Sequence, residues 1–162
     1  MRHKSFIASH RGGDLSVDDH KRLMNWAIAC AMRALNLMQN RPVNNTLIYA
    51  LDIAKEWEKG NVKTGAAMKA AYAVHAVARD VTDPLLKSIS RSIGQAVSTA
   101  HMADHCLGAA LYALKAAKLA GSSLEEEFAW QDEKLKDLLP EMTGLIQATR
   151  DQKKRAFKDL RD

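Results

Sequence analysis

Two histidines and an aspartate that could perform site chemistry lie close together in the second half of the chain. His101 and His105 are four residues apart, so in a helix both would lie on one face, with Asp104 three residues after the first histidine. The surrounding residues are mostly apolar, and their alanines and glycine would let a neighbouring helix approach closely. We therefore predict that this stretch is the central helix of a bundle, carrying polar groups where most helices carry leucine.

The first chemistry that this spacing allows is metal binding. Two histidines four residues apart on a helix can bind one zinc ion, as in zinc proteases. His75 from a neighbouring helix could supply a third ligand, with Asp104 as a fourth ligand or an orienting group. Met102 replaces the glutamate of the protease motif, and no histidine has the glutamate three residues before it that di-iron bundles require. We therefore predict no metal and no cofactor, and keep a metal or small-ligand pocket at His75, His101 and His105 as the alternative function.

Catalysis is not expected from these residues. Small helical ribonucleases often place an arginine within a turn or two of a histidine, but the arginine before His101 is Arg91, ten residues away. The order Asp104-His105 is the reverse of the His-Asp pair of helical metal phosphohydrolases. Cys106 follows a histidine directly, but adjacent helical residues point about 100° apart and form no dyad. With no Gly-rich phosphate loop or serine elbow, the chain is predicted to be no enzyme and to have no catalytic residues.

The same histidines also have a structural interpretation. Imidazoles and a carboxylate on an alanine-rich helix can hydrogen-bond to neighbouring helix ends and fix the register of packing. The tryptophans Trp26, Trp57 and Trp130 are interpreted as core anchors. Cys30 and Cys106 lie in apolar helical segments and are interpreted as small, reduced core residues. From sequence, both interpretations of the histidines stay open.

Composition and apolar periodicity predict the elements that position these groups. The chain has only 3 prolines and 8 glycines and no strand-type alternation of useful length. We predict an all-α, single-domain bundle of about seven helices in residues 16–162, preceded by a flexible N-terminal arm, residues 1–15. The helical segments are predicted at 16–39, 45–60, 65–80 with Thr64 as its cap, 84–120, 122–138 and from 140 onwards. The fourth would be about 55 Å long as one helix, so we expect a break near Val97–His101, where Ser and Thr compete for backbone hydrogen bonds.

Charge is unevenly distributed along the 162 residues, whose formal net charge is +5. Residues 1–41 carry 7 basic and 3 acidic groups, whereas residues 122–140 carry 2 basic and 6 acidic groups. A basic run from Arg150 to Arg161 could contact nucleic acid or an acidic protein. Its interspersed aspartates favour the solvated face of a last helix, and alanine-rich helices offer no recognition face for DNA. Nucleic acid is therefore a disfavoured partner.

The sequence also indicates where in the cell the protein is located. The N-terminus has no apolar run long enough for a signal peptide, and no later stretch could span a bilayer. Cysteine usage fits a reducing compartment. We therefore expect a cytoplasmic protein without a membrane partner.

Five segments share a pattern: Trp26-Ala27-x-x-Cys30-Ala31, Ala54-x-x-Trp57-x-x-Gly60, Ala70-Ala71-x-Ala73-x-His75-Ala76-x-Ala78-Arg79, Thr99-Ala100-His101-x-x-Asp104-His105 and Ala109-Ala110-x-Tyr112-Ala113-x-Lys115-Ala116. Together they resemble a bacterial family called putative immunity proteins, which is associated with polymorphic toxin systems. The resemblance covers Leu15 to Ala120 well and the last two helices weakly. Its most specific part is the histidine segment.

The resemblance implies a cytosolic, all-helical protein that binds and neutralises a bacterial toxin without catalysis. The chain departs from the family in the loop at residues 41–45, which is usually richer in arginine, and in its basic charge, since many immunity proteins are acidic. A toxin with an acidic contact face is therefore the expected partner, and a homo-oligomer stays open. If the third helix packs against the central one, the predicted partner- or ligand-binding residues are His75, Arg79, His101, Asp104 and His105.

Overall fold

Seven helical segments, most of them amphipathic, form the seven helices of the fold. The computed structural model describes residues 1–161, and within them no strand is present. The α-helices are α1 (Val17–Leu35), α2 (Asn45–Glu58), α3 (Thr64–Asp80), α4 (Pro84–Ser98), α5 (His105–Leu119), α6 (Leu124–Leu138) and α7 (Thr143–Lys154). Short 3-10 turns lie at Lys4–Phe6, Ser9–Arg11, Asn36–Met38 and Lys158–Leu160. The prediction of an all-α bundle of about seven helices is confirmed.

The helices begin where the sequence supplies capping side chains. The hydroxyl of Ser16 accepts a hydrogen bond from the Asp19 amide at 3.1 Å, and Ser123 does the same for Glu126 at 3.2 Å. Asp83 caps α4 ahead of the proline at its first position, accepting from the Leu85 amide at 3.0 Å. These polar caps set the helix starts that the sequence predicted.

Helices α4 and α5 form the centre of the bundle. They pack against each other, α4 also packs against α1, α2 and α3, and α5 packs against α1, α6 and α7. The core between them is filled by fully buried side chains such as Trp26, Ile93 and Leu107. Trp26 is thus confirmed as a core anchor, and both cysteines are buried and free, as predicted. Burial raises the pKa of the Cys30 and Cys106 thiols.

The predicted break in the long fourth segment is confirmed, and it places His101 outside both helices. Helix α4 ends at Ser98, and α5 begins at His105 after a turn. The hydroxyl of Ser98 donates to the Gly94 carbonyl at 2.8 Å, and that of Thr99 donates to the Gln95 carbonyl at 3.1 Å. Such bonds compete with the helical ladder. The prediction that His101 and His105 share one face of a central helix is therefore wrong, because His101 lies in the turn.

Residues 1–15 lie against the bundle. Phe6 and Leu15 are each only 2% exposed, and the Leu15 amide donates to the Ile7 carbonyl at 3.0 Å. Arg2 pairs with Asp104 at 3.3 Å. The division of the chain into a flexible arm and a domain at residues 16–162 stays a prediction, to be tested by the mobility of this segment in solution.

The last helix differs from its prediction. It begins at Thr143, three residues after Pro140, because residues 140–142 form a turn. The sequence predicts a solvated basic face that includes Arg150, and this is wrong for Arg150, which is only 2% exposed. The reason is that its guanidinium fits between the Gln131 amide and the Asp132 carboxylate of α6.

None of the helices within residues 1–161 combines the length and apolarity needed to cross a bilayer.

Candidate functional site

His75, the first of the five predicted site residues, lies at the crossing of α3 and α4. Its ring packs directly over Gly94, where a β-carbon would come within 2.6 Å of the imidazole Cε1. Arg91 Nη1 donates a hydrogen bond to His75 Nδ1 at 3.0 Å. Burial, followed by the Arg91 charge, lowers the pKa of His75. The ring is therefore held as a neutral acceptor within a helix crossing.

His105 also contacts α4, at the residue next to Gly94. Its Nδ1 donates to the Gln95 side-chain oxygen at 2.7 Å, and the Gln95 side chain occupies the space over Gly108. Burial lowers the pKa of His105, although the neighbouring Asp104 carboxylate acts in the opposite direction. Because His75 contacts Gly94 and His105 contacts Gln95, the two imidazoles engage adjacent residues of α4.

Asp104, the residue just before α5, contacts the N-terminal segment. Its Oδ2 accepts from Arg2 Nε at 3.3 Å, while its buried Oδ1 has no hydrogen-bond partner among the described residues. The Arg2 guanidinium also reaches the Met102 sulfur at 3.4 Å. The carboxylate thus ties the first residues of the chain to the turn between α4 and α5.

The five predicted residues are not gathered in one pocket. Helix α3, which carries His75 and Arg79, packs against α4 and α2, and Arg79 is exposed. His101 alone among the five lines the cleft described next. Within residues 1–161, no group of three or more His, Cys, Asp or Glu side chains is placed to hold a metal ion.

A cleft of about 440 Å³ opens beside His101. It lies between the N-terminal segment, the start of α1, the loop joining α2 to α3 and the turn joining α4 to α5. We call it the basic cleft, because its polar lining includes Arg2, His10, Arg11, His20, Lys21, Lys63 and His101. Among residues 1–161, no aspartate or glutamate lines it. Its volume is in the range of sites that hold a small ligand or a few side chains.

One wall of the basic cleft is a fixed aromatic pair. The His20 and Trp57 rings lie 4.9 Å apart between centroids, and His20 Nε2 donates to the Thr99 carbonyl at 2.6 Å. Burial lowers the pKa of His20 more than this hydrogen bond raises it. Trp57 Nε1 donates to the Thr64 hydroxyl at 3.1 Å. Trp57 is therefore a half-buried wall residue rather than a full core anchor like Trp26.

The start of α3 is open at this cleft as a result. The sequence predicted that Thr64 caps α3, but its hydroxyl is occupied by Trp57 and it forms the first residue of the helix. The residue in the capping position is Lys63, which makes no side-chain hydrogen bond to the helix. The first amide groups of α3, which form the positive end of its helix dipole, therefore lie beside the cleft without a side-chain cap.

The sequence indicated this cleft only through the basic excess of residues 1–41. Arg11 and Lys21 belong to that basic region, but Trp57 and Lys63 come from elsewhere in the chain. No local motif joins these positions, since the connection is made by the packing of the N-terminal segment. This is why sequence reasoning named His101 and missed its neighbours.

Residues 13–138 match the model of a known family, described as Imm-5 like putative immunity protein. The chain belongs to this family. The matched residues include α1 to α6 complete and leave out α7 and the first 12 residues. No curated protein and no solved structure matches the chain.

Family membership divides the basic cleft into two parts. Lys21, Trp57, Lys63 and His101 lie within the residues that match the immunity-protein family, whereas Arg2, His10 and Arg11 lie before them. The helical scaffold therefore supplies one side of the cleft, and the N-terminal segment completes it.

Proposed function

We propose that this protein binds a bacterial toxin and neutralises it by forming a stoichiometric complex, without catalysis. Its membership of the immunity-protein family over residues 13–138 carries the proposal. An inhibitor of this kind needs a surface complementary to its target and no reactive group. Neutralisation would then occur in the compartment where the toxin acts, for which we propose the cytoplasm.

The polar groups of the predicted histidine site support a binding role over a catalytic one. His75 accepts from Arg91, and His105 donates to Gln95, so each imidazole has one nitrogen engaged in a contact between helices. Asp104 is engaged by Arg2. These contacts fix how α3, α4 and α5 lie against one another, and they leave the partner surface to other residues.

Co-expression in a sensitive bacterial host tests the proposal. The protein is produced together with each toxin-domain gene from its genomic neighbourhood, and growth is compared with that of cells that express the toxin domain alone. We expect one toxin domain to be neutralised and to co-purify with this protein at a fixed stoichiometry. A toxin domain from an unrelated system is the control, and it should remain lethal.

A titration separates binding from catalysis. Purified protein is added to the purified toxin domain in increasing ratio, and the residual toxin activity is measured. Stoichiometric binding predicts that inhibition is complete near one equivalent and does not increase with time. Complete inhibition by a small fraction of an equivalent, growing with time, would contradict the non-catalytic mechanism. Survival with none of the neighbouring toxin domains would contradict the proposed function as a whole.

A further inference from the structure

We propose that the basic cleft is the docking site for the toxin, and that it binds an acidic segment whose carboxylates lie beside apolar side chains. This inference rests on the proposed function and adds the place and the chemistry of the contact. The cleft offers cationic groups above apolar walls that include Phe6, Ile7 and Val62. A segment in which glutamate or aspartate alternates with apolar residues matches both features.

The cations of the basic cleft are available to a partner. Arg11, Lys21 and Lys63 make no ion pair or hydrogen bond through their side chains within residues 1–161. Arg2 is the exception, since it pairs with Asp104. Three positive charges therefore line one concave surface without an internal counter-charge, and positive potential is focused in such a cleft.

Two carboxylates near the basic cleft are paired with other groups. Asp19 pairs with Arg22 at 2.8 Å on the first turns of α1. Glu56, near the end of α2, accepts from Asn61 at 2.8 Å and pairs with Lys59. These hydrogen bonds lower the pKa of Glu56, so its charge is balanced locally. These two carboxylates are therefore balanced locally, and no aspartate or glutamate among residues 1–161 lines the cleft itself.

The uncapped start of α3 adds a second source of attraction. Its first amide groups lack a side-chain acceptor because the capping residue is a lysine, whose ammonium group can only donate. A carboxylate placed there accepts hydrogen bonds from backbone amides and interacts favourably with the helix dipole. Lys63 lies in the capping position of the same helix. An incoming acidic side chain would thus meet a cation and open amides together.

Protein fits the basic cleft better than nucleic acid does. Single-stranded nucleic acid requires exposed aromatic faces on which bases can stack. Trp57 is packed against His20 and is hydrogen-bonded through its ring nitrogen, so it offers no free stacking platform. The exposed carboxylates Glu125 and Glu126 of α6 would also repel a long phosphate backbone that extended over the molecule.

Matched triple variants test the docking site. The cleft variant combines Arg11→Ala, Lys21→Ala and Lys63→Ala. The control variant combines Lys69→Ala, Lys134→Ala and Arg155→Ala, which removes the same charges from surfaces outside the cleft. Because exposed ion pairs contribute modestly and additively, we expect the cleft variant to lose about tenfold or more in affinity for the toxin at low salt, and the control to change less than about threefold.

A peptide probe makes the test independent of the toxin. A fluorescein-labelled peptide of alternating glutamate and leucine is titrated with each variant in anisotropy experiments, and a glutamine–leucine peptide serves as the uncharged counterpart. We expect the acidic peptide to bind the wild-type protein and the control variant in a salt-sensitive manner, and the cleft variant to bind it about tenfold more weakly. Equal binding of the two peptides, or tighter binding of a short RNA or DNA duplex, would overturn the inference.

Failure of this inference can be told from failure of the proposed function. If the wild-type protein and both triple variants neutralise the toxin equally well, the docking site lies elsewhere and the immunity function stands. If no toxin is neutralised but the acidic peptide requires the cleft, the immunity function fails and the binding chemistry stands. Loss of toxin binding in both triple variants to the same degree would also overturn the inference, because it would show a general effect of charge.

Discussion

Two charged regions of this molecule use the same kinds of side chain in opposite ways. In the basic cleft, Arg11, Lys21 and Lys63 line a concave surface and have no internal partner among the described residues. At the junction of α6 and α7, Arg150 is buried, and both of its terminal nitrogens are hydrogen-bonded to side chains of α6. The comparison separates charge that holds the fold together from charge that is open to a partner.

The junction is a hydrogen-bond network that connects four helices. Arg150 donates to the Gln131 side-chain oxygen at 3.0 Å and to Asp132 at 2.7 Å, and its guanidinium lies 4.8 Å from the centre of the Phe128 ring. The side-chain nitrogen of Gln131 donates in turn to the Ala110 backbone carbonyl. The backbone carbonyl of Gln131 accepts from the Trp26 ring nitrogen. The network thereby joins α7 to α6, α5 and α1. Its polar atoms are nearly all satisfied, the exception being the Arg150 Nε.

The difference teaches that net charge alone does not locate an interaction surface. Both ends of the chain were basic by sequence, and the C-terminal run was the denser of the two. Burial and pairing decide which cations can bind another molecule, because a buried cation whose donors are already paired cannot be reached by a partner. Four experiments follow in order of decreasing expected effect: the first and the last test this distinction directly, and the two between them test a helix crossing and the buried histidines.

The largest effect is expected from Arg150→Ala, which breaks the junction. Removal of the guanidinium leaves the Gln131 oxygen buried without its donor and Asp132 without its counter-charge. Loss of one partner of a buried charged pair costs about 3 kcal/mol in the free energy of unfolding. Urea denaturation monitored by circular dichroism measures it, with the exposed Arg155→Ala as a control expected to change stability by less than about 0.5 kcal/mol. A cost for Arg150→Ala below that of the control would contradict the structural role of the junction.

An intermediate effect is expected from Gly94→Ala, at a crossing that belongs to neither charged region. The new β-carbon would come within 2.6 Å of the His75 ring, so the ring must move. We expect a net loss of about 1 kcal/mol, because the cost of overpacking exceeds the helix propensity gained. Gly65→Ala in α3 is the matched control, since its β-carbon would meet no atom within 4 Å. It should be neutral or stabilise by about 0.5 kcal/mol. Denaturation of both variants decides the sign.

A smaller effect is expected from pH, through the buried histidines. Burial lowers the pKa of His20, His75 and His105 in the folded protein, so between this lowered pKa and the ordinary value near 6.5 the unfolded chain binds more protons. The free energy of unfolding that depends on the neutral histidines is therefore fully present above pH 6.5, and it decreases as the pH falls below that value. Unfolding free energies at pH 7.5 and 5.5 measure the decrease, and His75→Gln should reduce it. An increase in stability towards pH 5.5 would contradict this assignment.

The smallest effect on stability is expected from the cleft variant with Arg11→Ala, Lys21→Ala and Lys63→Ala. Since these side chains have no internal partner among residues 1–161, their loss should change the free energy of unfolding by less than about 0.5 kcal/mol per site. Removal of like charges from one surface would act in the stabilising direction. Thermal denaturation of the variant and the wild-type protein tests this. A large destabilisation would place these cations with Arg150 as structural groups.

The architecture was largely predictable from the sequence because its signals are local. Ser16, Asp83 and Ser123 cap helices within three residues of themselves, and the break after Ser98 follows from hydroxyls that bond to carbonyls one turn earlier. Such interactions join residues that are close in sequence, so the local sequence indicates them. The seven helices followed from them, whereas the family resemblance came from the five motif segments and their spacing.

The candidate site was less predictable because it depends on contacts distant in sequence. Asp104 binds Arg2 across 102 positions, and His20 donates to Thr99 across 79. Periodicity indicated which residues share a helix face, and the hydroxyls near Ser98 predicted the break, but neither indicated that the first 15 residues would pack over the turn that carries His101. How strongly this N-terminal segment is held stays a prediction that amide exchange of the free protein would measure.

Hydrogen–deuterium exchange of the toxin complex tests the docking of the toxin in the basic cleft most directly. Three segments contain lining residues of the cleft, residues 8–16, 60–64 and 100–103. Their turns are held mainly by short-range backbone hydrogen bonds, which open locally more easily than those of the buried helices. Docking in the cleft predicts that these segments become protected on binding while α6 and α7 keep the exchange rates of the free protein. Protection confined to α6 and α7, with the three cleft segments unchanged, would contradict it.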